Sequence, residues 1–228
     1  MISLNLVAVL GIVILLLLLF LGMNIGTAML TVGFFGFAYV VNFKAALGLF
    51  QTVFYTAGAT YSLSVVPLFI LMGEFAYCSG LSTGLFNLAR SWLDRVPGNL
   101  ACASLAACAG FGAICGSPTA TAATMGVVAL PEMRKSGYAD SIATGCISMG
   151  GTLGIIIPPS TAFILYGVTA SQSIGALFAA GIIPGIILTG LCILVVVFQV
   201  KRNPSLAPGA KLYTMKERIN YLKDIWGV

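Results

Sequence analysis

The chain has 228 residues, 59% hydrophobic and only 7% charged, with a mean hydropathy of +1.06 and a net charge of +5. A soluble domain carries roughly 25% charged residues, so this chain has too little polar surface to cover a water-soluble globule, and its main solvent is lipid. Histidine is absent, which excludes Ser-His and Cys-His nucleophile pairs. No P-loop, H-E-x-x-H or dinucleotide-binding glycine motif occurs, so the chain reads as a non-enzyme.

The first charged side chain is Lys44. The run L-V-A-V-L-G-I-V-I-L-L-L-L-L-F-L-G (6–22) is long enough to cross about 30 Å of hydrocarbon. It lacks a basic n-region and an A-x-A-like cleavage site, so a retained first span is expected near 4–22, followed by spans near 24–42 and 63–79. Residues 44–60 mix apolar and hydroxyl side chains in a weakly amphipathic pattern that either lies flat or spans. Glu74, inside the third of these spans, is either a proton site or a carboxylate near an interface paired with backbone or a base. In 81–95 the apolar residues fall at 85, 86, 88, 92 and 93 and the charges at 90, 94 and 95. That pattern suits a helix on the cytoplasmic membrane surface and equally an ordinary connecting helix.

The charges form three groups: Arg90, Asp94 and Arg95; Glu132, Arg134, Lys135 and Asp140; and a group beginning at Lys201 and Arg202. Basic residues beside spans favour the cytoplasm. The basic residues after position 200 therefore read as a tail facing membrane lipid, not as a nucleic-acid surface. With all three groups on one side, 96–133 and 136–200 must each enter the membrane and return. Asn99–Cys115 and Thr119–Met133 are about 25 and 22 Å long as helices, short for a bilayer. Between them lies G-F-G-A-I-C-G-S-P-T-A-T (110–121). A re-entrant hairpin whose polar tip stops at mid-membrane, sheltered by protein or a watery cavity, fits better than two full spans. In the second excursion, 138–170 leads out, S-Q-S-I-G (171–175) turns and 176–200 returns. The outward span carries G-G-T-L-G-I-I-I-P-P-S (150–160), whose glycines loosen a helix and whose Pro158 and Pro159 break it.

Unwound backbone inside a membrane exposes carbonyls and amides that lipid cannot satisfy. Free carbonyls and half-helix ends hold ions, sodium among them. Around the two breaks, the glycine carbonyls with Ser117, Thr119, Thr121 and Thr152 offer uncharged oxygen. Small residues also serve close helix packing, and that reading stands beside the first. The six cysteines sit in apolar sequence without C-x-x-C spacing and read as small buried residues. The fold class expected is all-α: a polytopic helical membrane protein with a re-entrant hairpin and a broken transmembrane helix. It divides into scaffold spans and interfacial helix (1–95), a part carrying the hairpin and broken helix (96–170), and a returning span with a cytoplasmic linker (171–228).

The stretch A-I-C-G-S-P-T-A-T-A-A-T-M-G-V-V-A-L-P-E-M-R-K-S-G-Y (113–138), then 150–160, P-L-F-I-L-M-G-E (67–74) and I-P-G-I-I-L (183–188) resemble the large membrane subunit of tripartite ATP-independent periplasmic (TRAP) transporters, the DctM type. The resemblance implies a sodium-driven elevator importer of C4-dicarboxylates, sialic acid or other carboxylates in the bacterial inner membrane. It implies a soluble periplasmic substrate-binding protein and a small four-helix membrane subunit as partners. It also implies a sodium site with Gly112 and Cys115 at the hairpin tip and Gly154, Ile157 and Pro159 in the break. These act mostly through backbone carbonyls, with Ser117, Thr119, Thr121, Thr152 and Ser160 in the substrate and ion vicinity. Some members carry serine where this chain has Gly112 and Cys115, so carbonyl coordination is expected here. Family members are nearly twice as long, with a second hairpin and a second broken helix related to the first by inverted repeat. The chain is therefore expected to be an N-terminal half whose C-terminal half acts as partner, with 211–228 resembling the linker between halves. A non-transporting membrane scaffold and another elevator-type carboxylate transporter are the alternatives.

Overall fold

Turn-forming residues cut the apolar sequence into helices. In the computed structural model, which describes residues 4–59, 61–208 and 212–226, α1 (Leu4–Phe20) ends before Gly22 in a left-handed conformation. Asn24 caps α2 (Ile25–Val40) by accepting from the Gly26 N–H, and Asn42 accepts from the Ala45 N–H at the start of α3 (Phe43–Ala59). Such side chains satisfy amides that a helix start leaves without partners. The segment 44–60, readable from sequence either way, is thus helical over its described residues. The chain packs as two compact units, 1–61 and 62–228. In the first, α1 lies against α2 and α2 against α3.

A 3-10 turn (Tyr61–Ser64) leads into the second unit, whose first helices are α4 (Val65–Cys78) and α5 (Leu81–Trp92), bent at 64° about Gly80. Next come α6 (Asn99–Cys115), α7 (Pro118–Lys135), α8 (Asp140–Ile156), α9 (Thr161–Thr169), α10 (Ile174–Arg202) and α11 (Met215–Trp226). α6 is the centre: α5, α7, α8 and α10 all pack on it. Its inward residues are Ala101, Cys102, Ala103, Ser104, Ala107 and Cys108, small enough to let neighbouring backbones approach. Met125, Ala129, Met133, Ile142, Cys146 and Val196 complete the core.

α6 and α7 form the expected helical hairpin. At its open end the Tyr138 hydroxyl donates to Asn99 Oδ1 (2.8 Å) and the Leu100 N–H donates to the Tyr138 hydroxyl (3.2 Å). The second arm is longer than read from sequence, Pro118–Lys135 instead of 119–133, and α10 starts at Ile174 instead of 176. Among the described residues, Asp140–Thr169 and Ile174–Arg202 are long and apolar enough to cross a membrane, and the bent α4–α5 pair qualifies if it is one span. α1, α2 and α6 are apolar and 16 or 17 residues long, about 24–26 Å. No strand occurs among the described residues.

The three charge groups meet at one end of the second unit. Arg90 Nη1 reaches Glu132 at 3.3 Å, and Arg134 reaches Asp140 at 2.8 Å. Arg95 and Lys201 line one cleft with Asp94. α11 is strapped to α5 by a carboxylate: Asp94, its side chain 1% exposed, accepts from both the Arg218 guanidinium (2.9 Å) and the Tyr213 N–H (2.8 Å). Tyr213 also takes Arg90 over its ring and accepts from Arg90 Nε. The Tyr213 N–H, helped by Arg218 and against the effect of burial, holds the Asp94 carboxyl below its ordinary value of 3.8. The 211–228 segment, read as a linker, is over its described residues a helix packed on α5. α5 buries Phe86, Ser82 and Ser91.

Candidate functional site

The hairpin tip is short. α6 ends at Cys115, as its arm read from sequence does, and α7 resumes at Pro118, one residue before the expected Thr119. Only Gly116 and Ser117 leave the helix. Gly116 caps α6 in the left-handed region (φ +58°), donating its N–H to Gly112 O at 2.8 Å. Ser117 caps α7 through Oγ to the Ala120 N–H, with Pro118 at the first helical position. Glycine at the stop, then Ser-Pro at the restart, is the capping signature of two helices meeting head to tail. That G-S-P signal could have located the tip from sequence.

The second break likewise spans 157–160 only. Gly150, Gly151 and Gly154 are helical, and the prolines alone interrupt the ladder, with a cis peptide between Pro158 and Pro159. The glycines serve contact instead. A methyl group on Gly150 would lie 2.5 Å from Cys108 Sγ, one on Gly151 2.7 Å from Ala122 Cβ, and one on Gly112 2.6 Å from Gly154 Cα. α8 therefore crosses the hairpin backbone to backbone.

This crossing assembles the expected residues. Gly112 and Gly154 touch. A methyl group on Gly116 would fall 2.6 Å from Pro159 O and 3.3 Å from Ser160 Cα, so the tip lies directly on the broken segment. Thr161 fastens it, its N–H (3.4 Å) and Oγ1 (3.1 Å) both donating to Gly116 O. Cys115 Sγ is 3.1 Å from Thr121 Oγ1, which donates to Ser117 O at 2.8 Å and lies against Gly154. Ile157 caps α8 in extended conformation, seated on α10 at Gly185. Ser160 is fully buried. Thr119 and Thr152 lie outside this junction. Thr119 is exposed and its hydroxyl meets Ser117 Oγ at 3.2 Å, while Thr152 is exposed and donates to Met149 O within its own helix. Gly116 and Thr161, the residues that join tip to break, were not singled out by sequence.

Carbonyls and hydroxyls are the chemistry on offer. No group of three or more His, Cys, Asp or Glu side chains suited to a metal ion occurs among the described residues. Oxygen dipoles of this kind suit a hard cation. Beside the tip, a cavity of about 570 Å³ opens between α4, the hairpin and α9, lined by Glu74, Tyr77, Cys115, Ser117, Thr124 and Thr161. Glu74 is exposed on its wall, on the same α4 face as Ile70 and Tyr77. A groove of about 380 Å³ between α8 and α10 is lined mostly by apolar side chains and offers little to an ion. All six cysteines are free; Cys78 is exposed and the other five are buried, so five of the six follow the sequence reading.

Residues 12–226 match the family model described as "Tripartite ATP-independent periplasmic transporter, DctM component". The chain is 34% identical over 183 residues to the C4-dicarboxylate TRAP transporter large permease protein DctM of Pseudomonas aeruginosa, covering 80% of this chain and 42% of that protein. It is 40% identical over 140 residues to the isethionate TRAP transporter permease protein DctMQ of Oleidesulfovibrio alaskensis, covering 61% and 22%. To the sialic acid TRAP transporter permease protein SiaT of Haemophilus influenzae it is 36% identical over 130 residues, covering 57% and 21%. The chain thus spans less than half the length of these relatives.

Proposed function

The chain belongs to the DctM component family of tripartite ATP-independent periplasmic transporters, and from that premise we propose that it acts in sodium-coupled uptake of small organic anions across a bacterial inner membrane, as part of a large permease subunit. Its partners in this reading are a small four-helix membrane subunit, a periplasmic substrate-binding protein and the remainder of the large subunit. C4-dicarboxylates and sialic acid are the expected substrates. The relatives' names include isethionate as well.

The observation that carries the proposal is the seating of the hairpin tip on the broken helix. The contacts Gly112–Gly154 and Gly116–Pro159 bring the carbonyl-bearing end of α6 to the interrupted end of α8, inside protein. Backbone there lacks a continuous ladder, and lipid would leave its oxygens unsatisfied. A sodium ion, which travels as cargo, satisfies them. Gly112, Cys115, Gly154, Ile157 and Pro159 would hold it mainly through carbonyls, with Thr121 at the rim. Bound in this way, the ion ties the hairpin to α8, so the two would move as one body and the tip would take its re-entrant place beside the cavity at Glu74.

A scaffold reading also finds support, because Gly150 and Gly151 pack as helix-crossing glycines do. Packing alone gives no reason for the left-handed Gly116 cap to face a double proline. The experiment is thermal melting of the purified chain in detergent, sodium against potassium at equal ionic strength. A ligand of the folded state alone stabilises by RT ln(1 + [L]/Kd), about 1.4 kcal/mol at ten times Kd. A sodium-specific rise lost in Gly154→Ala supports the ion site; equal melting in both salts removes it and leaves the scaffold reading.

A further inference from the structure

Ser160 carries the one hydroxyl at this junction that has no use in the fold. It occupies the N-cap position of α9 and is fully buried, yet it makes no side-chain cap bond, and its Oγ has no hydrogen-bond partner among the described residues. Two other N-cap serines do cap their helices: Ser117 Oγ accepts from Ala120 N–H and Ser173 Oγ from Ala176 N–H. Burying a hydroxyl without a partner is unfavourable, and turning to the first helical turn would recover much of that loss.

The neighbours narrow what the hydroxyl meets. Thr161 Oγ1 is engaged on Gly116 O, and Thr121 Oγ1 on Ser117 O. Gly112 has no side chain, and Cys115 offers a soft thiol beside Thr121. Between Ile157 and Thr161, Ser160 Oγ is the side-chain oxygen left uncommitted, next to the Pro159 carbonyl that faces the tip. Full burial excludes an organic anion of several atoms. A dehydrated monovalent cation is small enough and takes a hydroxyl oxygen as readily as a carbonyl.

We infer that Ser160 Oγ is a direct side-chain ligand of the cation bound at the tip–break junction, giving the site a hydroxyl that Gly112 and Cys115 do not supply. The inference rests on the sodium site proposed above. It makes the hydroxyl's isolation in the fold a feature of ion selection: the group is kept from the helix so that the ion can have it.

The test compares wild-type chain with Ser160→Ala and Ser160→Cys, melting each in detergent along a sodium gradient balanced by potassium. In potassium alone Ser160→Ala melts at or above wild type, because an unpartnered buried hydroxyl has been removed. In sodium its half-saturating concentration rises by about tenfold or more, the scale on which lost metal-shell partners weaken affinity. Ser160→Cys, of similar size, folds normally and also loses sodium response, since sulfur is a poor sodium ligand. Wild-type sodium response in both variants overturns the assignment while leaving the carbonyl site standing. An equal fall of both variants in sodium and in potassium overturns it in favour of a packing role. A wild-type chain that melts alike in both salts overturns the ion site and this assignment together.

Discussion

Helices α1 and α6 are both seventeen residues long and both apolar, yet α1 buries none of its residues and α6 buries twelve. The difference lies in side-chain size. α1 is leucine, isoleucine and valine, and Ile12 and Leu17 are more than half exposed. α6 is mostly alanine, cysteine and glycine, with Leu100, Leu105 and Phe111 as its large buried side chains. In water, the bulkier sequence would seek the core. In lipid, hydrocarbon side chains gain little by leaving their solvent, and association depends on how closely backbones approach. Hydropathy therefore does not separate the two helices, and small residues set which of them packs closely against its neighbours.

The contrast is open to mutation, and the largest effect is expected at Gly116. Gly116→Ala forces an L-residue into the left-handed region, at about 1–2 kcal/mol, and drives a methyl group to within 2.6 Å of Pro159 O; melting should fall by several degrees. Gly112→Ala overlaps Gly154 Cα and should cost about 1–3 kcal/mol as overpacking, read in the same assay. Arg218→Met removes a partner from the buried Asp94 carboxylate, with about 1–3 kcal/mol expected; faster proteolysis near α11 would report it. Acid should do the same by another route. Asp94's folded value lies below 3.8, so its contribution is complete above that pH and is lost as pH falls through the lower folded value. Protease accessibility of α11 should therefore rise only in strong acid, and the Asp94→Asn variant should show no such transition. The smallest effects belong to the first unit. Gly33→Ala meets nothing within 4 Å and should be neutral or stabilising by up to about 1 kcal/mol. Leu17→Ala should stay within about 0.5 kcal/mol. A large loss at either of these two positions would break the distinction between lipid-facing and protein-facing helices.

Much of this architecture is legible in the residues. The apolar runs locate α1, α2, α4 and α10. The glycine, serine and proline between the two apolar arms of 96–133 announce a hairpin, and Pro158–Pro159 mark the interruption. The glycines mislead, because the same residue loosens a helix and lets helices touch. Gly150, Gly151 and Gly154 read as part of the break but stay helical against Cys108, Ala122 and Gly112. Segment 44–60 reads equally as lying flat or spanning, because its hydrophobic pattern is only weakly amphipathic. Ties such as Asp94–Arg218 and Tyr138–Asn99 join residues far apart in sequence, and composition carries no trace of them. The isolation of Ser160 is invisible for the same reason: an N-cap serine is expected to cap.

The strap at Asp94 also has a history in time. Its carboxylate is synthesised 124 residues ahead of the guanidinium that pairs with it. Throughout that interval α6, α7, α8, α9 and α10 are made while the Asp94 carboxylate still lacks the Arg218 guanidinium. The strap can close only once α11 has been made, and it returns the chain to a position laid down before the hairpin existed.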